Sequence, residues 1–183
     1  MIVRYPNAAN GLRLMFMGQI ILIAGALLAW VPLVGFLLIV AAPLVELVGV
    51  YKAGEDDDNY RAALVFAALA VVINLLAGVF HSGLLNALLD MAGEIVSLLM
   101  MFTVCNTTSN LLHSVGEEAL SQRGGTVIKI YTACTAISIV CRVLSIIPII
   151  NIAAALVSGI AALVQVAGYV MYLLFLNSSS KAL

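Results

Sequence analysis

Long apolar segments, broken only by short polar turns, constrain the fold of this chain more than any other feature of its sequence. Hydrophobic residues fill 64% of its 183 positions, and charged residues fill 9%. Because about a quarter of the residues in a typical soluble domain are charged, so few charges cannot cover a water-facing surface. We therefore predict an integral membrane protein of the all-α class, with the lipid bilayer as its first partner.

The length of the apolar segments predicts the number of membrane crossings. A helix needs about 20 mostly apolar residues to cross a hydrocarbon core of ~30 Å. The block from Leu12 to Tyr51 is twice that length, and Pro32 at its midpoint would end or kink a helix. The same reasoning predicts one membrane domain, 1–183, folded as a polytopic six-transmembrane-helix bundle. The predicted helices cover about 12–30, 33–51, 60–80, 86–115, 126–147 and 150–176.

The basic residues predict the orientation of this bundle. In the six-helix arrangement, seven of the eight basic residues lie at one face, together with the polar connections and the polar tail: Arg4, Arg13, Lys52, Arg61, Arg123, Lys129 and Lys181. Since Lys and Arg favour cytoplasmic loops, we predict a multi-pass protein of the cell membrane with both termini in the cytoplasm. A five-helix or re-entrant arrangement is the alternative.

A weak internal repeat accompanies this layout. Arg13 precedes Pro32 by 19 residues, and Lys129 precedes Pro148 by the same number. In addition, the segment 44–49 resembles the segment 163–168. These matches suggest three tandem helical hairpins, in which helices 1–2 and 5–6 are related, although chance matches are common in such apolar sequence.

Charged residues inside predicted membrane spans are the strongest functional signal, because each costs about 2.5–3.5 kcal/mol at the centre of a span. Asp90 and Glu94 are four residues apart and share a face of helix 4. Arg142 on the antiparallel helix 5 should lie at a similar depth, so we expect a polar cluster of Asp90, Glu94 and Arg142. This cluster is either a pocket or relay that opens outward, or a structural ion pair that fixes helix register.

Other polar residues within the spans are secondary candidates. Glu46 could extend toward Lys52 and the membrane surface, or pair at the inner side with Gln165, its counterpart in the repeat. Asn106 and Asn110 belong to a polar face of helix 4, which we predict to be central in the bundle. Hydrogen bonds between helices and a water-filled path are the two interpretations of this face.

The function classes are narrowed mainly by what the sequence lacks. It contains no phosphate-binding glycine loop, zinc-protease helix motif or serine elbow, so we predict no enzyme and no cofactor. The net charge of −1 argues against a nucleic-acid partner. The prediction is a small transporter- or channel-like protein. The alternative is a non-catalytic membrane subunit or scaffold, acting in a homo-oligomer or with a membrane partner subunit.

One resemblance bears on both classes. In length and six-helix layout, the chain resembles the substrate-binding component of energy-coupling-factor vitamin transporters. Such components dock on their transmembrane partner through small-residue motifs in helix 1, and Gly25 and Ala29 have that spacing. The resemblance covers the whole chain in size and helix count only, and the predicted outer turns are too short to cap a vitamin. It implies a subunit of a larger transporter, and we assign no family from it.

Overall fold

The computed structural model describes residues 5–79, 83–144 and 151–183. Nearly all of these residues are helical, and the helices are α1 (Pro6–Leu27), α2 (Pro32–Ala53), α3 (Asn59–Val79), α4 (Gly83–Ser114), α5 (Glu118–Leu144) and α6 (Asn151–Ala182). Within the described ranges, six helices are long and apolar enough to cross a membrane. The all-helical class and the six-helix count of the sequence prediction are thus confirmed. The predicted ends of helices 3 and 5, and the predicted start of helix 6, lie outside the described residues.

The helices form a ring. Each helix packs against the next one in the chain, and α1 packs against α6, which closes the ring. The ring has two ends. We call the end that carries Pro6, Ala53, Asn59, Ser114, Glu118 and Ala182 the terminal end. The opposite end, where α1, α3 and α5 finish, is the turn end.

The densest packing lies in the half of the ring nearer the terminal end. Its fully buried side chains come from all six helices: Leu12, Met15, Val50, Tyr60, Val104, Leu112, Val127, Phe175 and Leu176. The Tyr60 hydroxyl and the Thr108 hydroxyl, 2.7 Å apart, share a hydrogen bond within this core. Large apolar side chains such as Trp30, Leu33 and Leu163 are instead more than 70% exposed on the outside of the ring. An apolar exterior of this kind suits contact with lipid.

The closest helix pair is α1 with α2, and its seam is built from small residues at intervals of seven. Gly11, Gly18 and Gly25 of α1 face α2, and Gly49 of α2 faces α1. A Cβ added to Gly11 would lie 2.5 Å from the Gly49 carbonyl oxygen, so the two backbones are in direct contact. Gly25, which the sequence suggested as part of a docking motif, packs against Leu38 and Ile39 of α2. It therefore makes a contact within the chain.

The start of α1 is six residues earlier than predicted, and Asp56 explains the difference. The Asp56 carboxylate accepts hydrogen bonds from the Ala8 amide at 2.8 Å and from Asn7 Nδ2 at 3.0 Å. It thereby satisfies an amide in the first turn of α1, which has no partner within the helix. Asp56, in the turn between α2 and α3, therefore helps to fix the start of α1.

The other helix boundaries also differ from the prediction, for reasons of packing. Gly116 has a φ of +87° and ends α4, while the Glu117 amide donates to the Leu112 carbonyl. The helix α5 then begins at Glu118 instead of 126 and includes Gly124. A Cβ on Gly124 would lie 2.2 Å from Ser109 Oγ, so this glycine permits a close approach to α4.

At the other terminus of the chain, α6 continues through Ala182, six residues beyond the predicted 176. The polar segment 177–180 stays helical because the residues around it are held in the core. Leu183 is only 2% exposed, and its carbonyl accepts a 3.4 Å hydrogen bond from the Tyr5 amide. Burial of this leucine outweighs the low helix propensity of the asparagine and serines before it.

Candidate functional site

A cavity of about 330 Å³ lies between α3, α4, α5 and α6, in the half of the bundle nearer the turn end. Its lining is mostly polar and comprises Asn74, Asp90, Gly93, Glu94, Ser97, Tyr131, Thr135, Arg142 and Gln165. The three residues of the predicted polar cluster are all among them. We call this space the polar cavity.

The charged pair at the polar cavity joins α4 to α5. Arg142 Nη2 donates a hydrogen bond to Glu94 Oε1, and the two side chains are 44% and 31% exposed. The other carboxylate oxygen of Glu94 is buried and has no hydrogen-bond partner among the described residues. A buried acceptor without a partner costs about 1–3 kcal/mol. A hydrogen-bond donor on a ligand would therefore stabilise this oxygen.

Asp90 lies one turn closer to the turn end than Glu94, and it is exposed. Within the described ranges, the ion pairs are Arg142 with Glu94 and Arg61 with Asp58, so Asp90 belongs to neither. Two carboxylates and one guanidinium therefore surround the polar cavity. Its charge favours a ligand that carries a positive group.

The uncharged wall of the polar cavity comes from all four of the helices around it. Tyr131 of α5 and Gln165 of α6 both line it. Gly93 of α4 faces α3, where a Cβ would make only ordinary van der Waals contact with Ile73 and Asn74. The structure thus brings Gln165, a secondary candidate from the sequence, into the same site as Glu94.

The candidates from the sequence did not include four polar residues of the wall: Asn74, Ser97, Tyr131 and Thr135. Asn74 did carry a signal, because it is the one strongly polar residue in the otherwise apolar segment 62–79. Tyr131 and Thr135 gave none, since tyrosine and threonine are common in apolar helices and only the packing of α5 aims them inward.

Glu46 lies in a separate site between α1, α2 and α6. Gln19 Nε2 donates a 2.6 Å hydrogen bond to Glu46 Oε1, and the Tyr169 hydroxyl donates to Gln19 Oε1. Glu46 is therefore turned toward α1, and the predicted extension toward Lys52 is not what the structure shows. The predicted pairing with Gln165 is also not formed, because Gln165 lines the polar cavity.

Asn106 and Asn110 are exposed on the outside of α4. The structure places α4 in the ring between α3 and α5 and not at its centre. Its inward side near the terminal end is formed by Val104, Cys105 and Thr108, which are fully buried. Asn106 and Asn110 are eight and four residues from the end of α4 at Ser114. They do not join either polar site.

Within the described residues, no group of three or more histidine, cysteine, aspartate or glutamate side chains could hold a metal ion. The cysteines Cys105, Cys134 and Cys141 are buried and unpaired. Comparison of the chain with protein-family models, curated proteins and solved structures finds no match.

Proposed function

We propose that this chain is a membrane protein of the transporter type that binds a small positively charged or zwitterionic solute in the polar cavity. The observation that carries this proposal is the set of two carboxylates and one guanidinium around a space of about 330 Å³. Pockets for small ligands range from about 300 to 1,000 Å³. The volume suits a compact solute such as a small amine or amino acid.

Asp90 is the residue to which we assign first contact with the solute. Arg142 is engaged by Glu94, whereas the Asp90 carboxylate lies exposed at the wall of the polar cavity. An ammonium group would pair with Asp90, and a carboxylate on the same solute would lie near Arg142. Charge-assisted bonds of this kind are among the strongest that a binding site makes.

The packing supports a transporter better than an open channel. The polar cavity occupies one half of the bundle, and the core around Tyr60, Val104 and Leu176 fills the other. Transporters expose a site near the middle of the membrane to one side at a time. A cavity near the turn end, with a closed core near the terminal end, is consistent with a transporter whose site is open to one side of the membrane.

The Asp90→Asn variant tests the solute site. Purified protein in detergent is heated with a panel of primary and quaternary amines, with acetate as the anionic probe. We expect amines to raise Tm and acetate to have no effect, because binding to the folded state stabilises it. Asp90→Asn should weaken amine binding about tenfold, equivalent to about 1.4 kcal/mol.

The matched control is Asp58→Asn, the same chemical change at an exposed carboxylate of the terminal end. It should leave the amine response intact. If no amine of the panel stabilises the folded protein, or if both variants respond alike, the solute proposal fails. The alternative would then hold: a non-catalytic membrane subunit or scaffold, in a homo-oligomer or with a membrane partner subunit, in which the Glu94–Arg142 pair only fixes helix register.

We further propose that the chain spans the cell membrane with its terminal end in the cytoplasm. The positive-inside rule and the six apolar helices support this orientation. In intact cells, an impermeant maleimide should label Gly83→Cys and should not label Glu118→Cys until the membrane is permeabilised. The native cysteines are buried and give little background. Labelling of both variants, or of Glu118→Cys alone, in intact cells would refute this topology.

Three tandem hairpins are also part of the proposal. The offset that matches Arg13 with Lys129 also matches Met15 with Tyr131. Gly49 packs against Met15, and its counterpart Gly168 packs against Ile130 and Tyr131. Equivalent contacts in the first and third hairpins support a common origin.

A further inference from the structure

Glu46 is the most deeply placed carboxyl group that the solute site does not use. It lies seven residues before the end of α2 at Ala53, which is about 10 Å along a helix that rises ~1.5 Å per residue. Gly18 of α1 lets α2 approach at this level, since a Cβ on Gly18 would lie 3.0 Å from the Ala42 carbonyl oxygen and 3.2 Å from the Glu46 amide nitrogen. Glu46 therefore lies at the closely packed α1–α2 seam.

In the part of the chain that the structure describes, Glu46 accepts a hydrogen bond and belongs to no ion pair. Gln19 of α1 donates to it, and Tyr169 in turn donates to Gln19. The titratable groups of α6 within electrostatic range of Glu46 are Tyr169 and Tyr172. Among the described residues, both ion pairs involve other carboxylates. Because an ionised carboxylate without a partner is costly inside a membrane, Glu46 is best satisfied when it carries a proton.

The helix α6 contributes to both polar sites, since Tyr169 donates to Gln19 and Gln165 lines the polar cavity. Tyr169 lies four residues after Gln165, so the two share a face of α6. Gln165 lines the polar cavity together with Tyr131 of α5. Each of these groups can accept and donate a hydrogen bond. The two polar sites are therefore neighbours joined by α6.

We propose that Glu46, Gln19 and Tyr169 form an intramembrane proton-binding site that exchanges its proton with the polar cavity through Gln165 and Tyr131. The ionised Glu46 carboxylate takes up one proton from a hydronium ion in the cavity and becomes a neutral carboxyl group, and a water molecule remains. Release returns the same proton by the same route. Proton binding stands without the solute proposal, whereas coupling of this proton to solute movement rests on it.

Infrared difference spectroscopy of the full chain in phosphatidylcholine vesicles tests this proposal. A protonated carboxyl group has its own C=O band, which disappears on ionisation. We expect a band that is present at low pH, is lost as the pH rises, and is missing in Glu46→Gln. Glu94→Gln is the matched control and should keep the band. A spectrum in which Glu46→Gln removes no band, or in which the band does not change with pH, would overturn the proposal.

The route and the identity of the ion need separate measurements. Transfer to D₂O shifts the carboxyl band, and Tyr131→Phe should slow this shift about tenfold, as for a barrier raised by about 1.4 kcal/mol. An unchanged rate would refute the route through Tyr131. If Na⁺ removed the band at constant pH, the site would be a sodium site and the proposal would fail.

A conservative variant covers the case in which Glu46→Gln does not fold. Tyr169→Phe keeps the ring and removes the hydroxyl that orients Gln19, so it should move the pH midpoint of the band without abolishing it. A midpoint that stays in place would contradict the assignment. None of these readouts depends on amine binding, so their failure is distinguishable from failure of the solute site.

Discussion

Replacing Gly49 by alanine should prevent α1 and α2 from packing and remove most of the folded protein. A Cβ at this position would lie 2.7 Å from the Gly11 carbonyl oxygen and 2.8 Å from the Met15 amide nitrogen. Both are backbone atoms and cannot move aside as a side chain could. Overpacking of a core usually costs 1–3 kcal/mol, and we expect more than about 3 kcal/mol here because the whole helix must shift. Gly11→Ala should behave in the same way.

The measurement is unfolding of detergent-purified protein by a titration with sodium dodecyl sulfate, followed by circular dichroism. Gly159→Ala is the control, because a Cβ at Gly159 meets nothing within 4 Å. Like Gly49→Ala, it replaces a helical glycine by a residue of higher helix propensity. It should therefore be neutral or stabilise the fold by up to about 1 kcal/mol. Equal stability of Gly49→Ala and Gly159→Ala would mean that the α1–α2 seam is not packed backbone to backbone.

Arg142→Ala has the second largest expected effect. It would leave Glu94 with two unpaired carboxylate oxygens at the wall of the polar cavity. Removing one partner of a buried pair costs about 3–5 kcal/mol. Because the Arg142 and Glu94 side chains are partly exposed, we expect about 2–3 kcal/mol, close to the cost of a single charge in a membrane span.

The same unfolding titration measures this effect. Glu94→Arg combined with Arg142→Glu should recover part of the stability that either reversal alone removes, since the pair is restored with exchanged charges. Arg61→Ala is the control. It breaks the exposed Arg61–Asp58 pair, and loss of such a pair costs at most about 1 kcal/mol. A folded yield of Arg142→Ala equal to that of the wild type would show that the Glu94–Arg142 pair contributes nothing.

Asp90, Glu94 and Arg142 show how far sequence reasoning reaches. Their spacing and the antiparallel order of helices 4 and 5 were enough to place them at one depth. A pocket beside them was only one of two alternatives from the sequence, because the volume of the polar cavity depends on how far α3 and α6 stand from α4 and α5. Asn74 and Gln165 enter the site only through that packing.

Glu46 shows where the reasoning failed. Read along α2 alone, a carboxylate near a helix end should extend toward water and Lys52. Its partner Gln19 is 27 residues away in sequence, and the contact depends on the close approach of α1 and α2 at Gly18. A single sequence does not show which of many small residues faces which helix.

The sequence by itself determined the helical class, the number of helices and the candidate charged residues, because these follow from hydropathy and from the length of a membrane crossing. Tertiary structure alone decided the α1–α2 glycine seam, the extension of α5 and α6, the capping of α1 by Asp56, and the two polar sites. The physical reason is that an apolar helix offers nearly equivalent faces to its neighbours. Close backbone contact at Gly11 and Gly49, together with a few hydrogen bonds, selects among those faces.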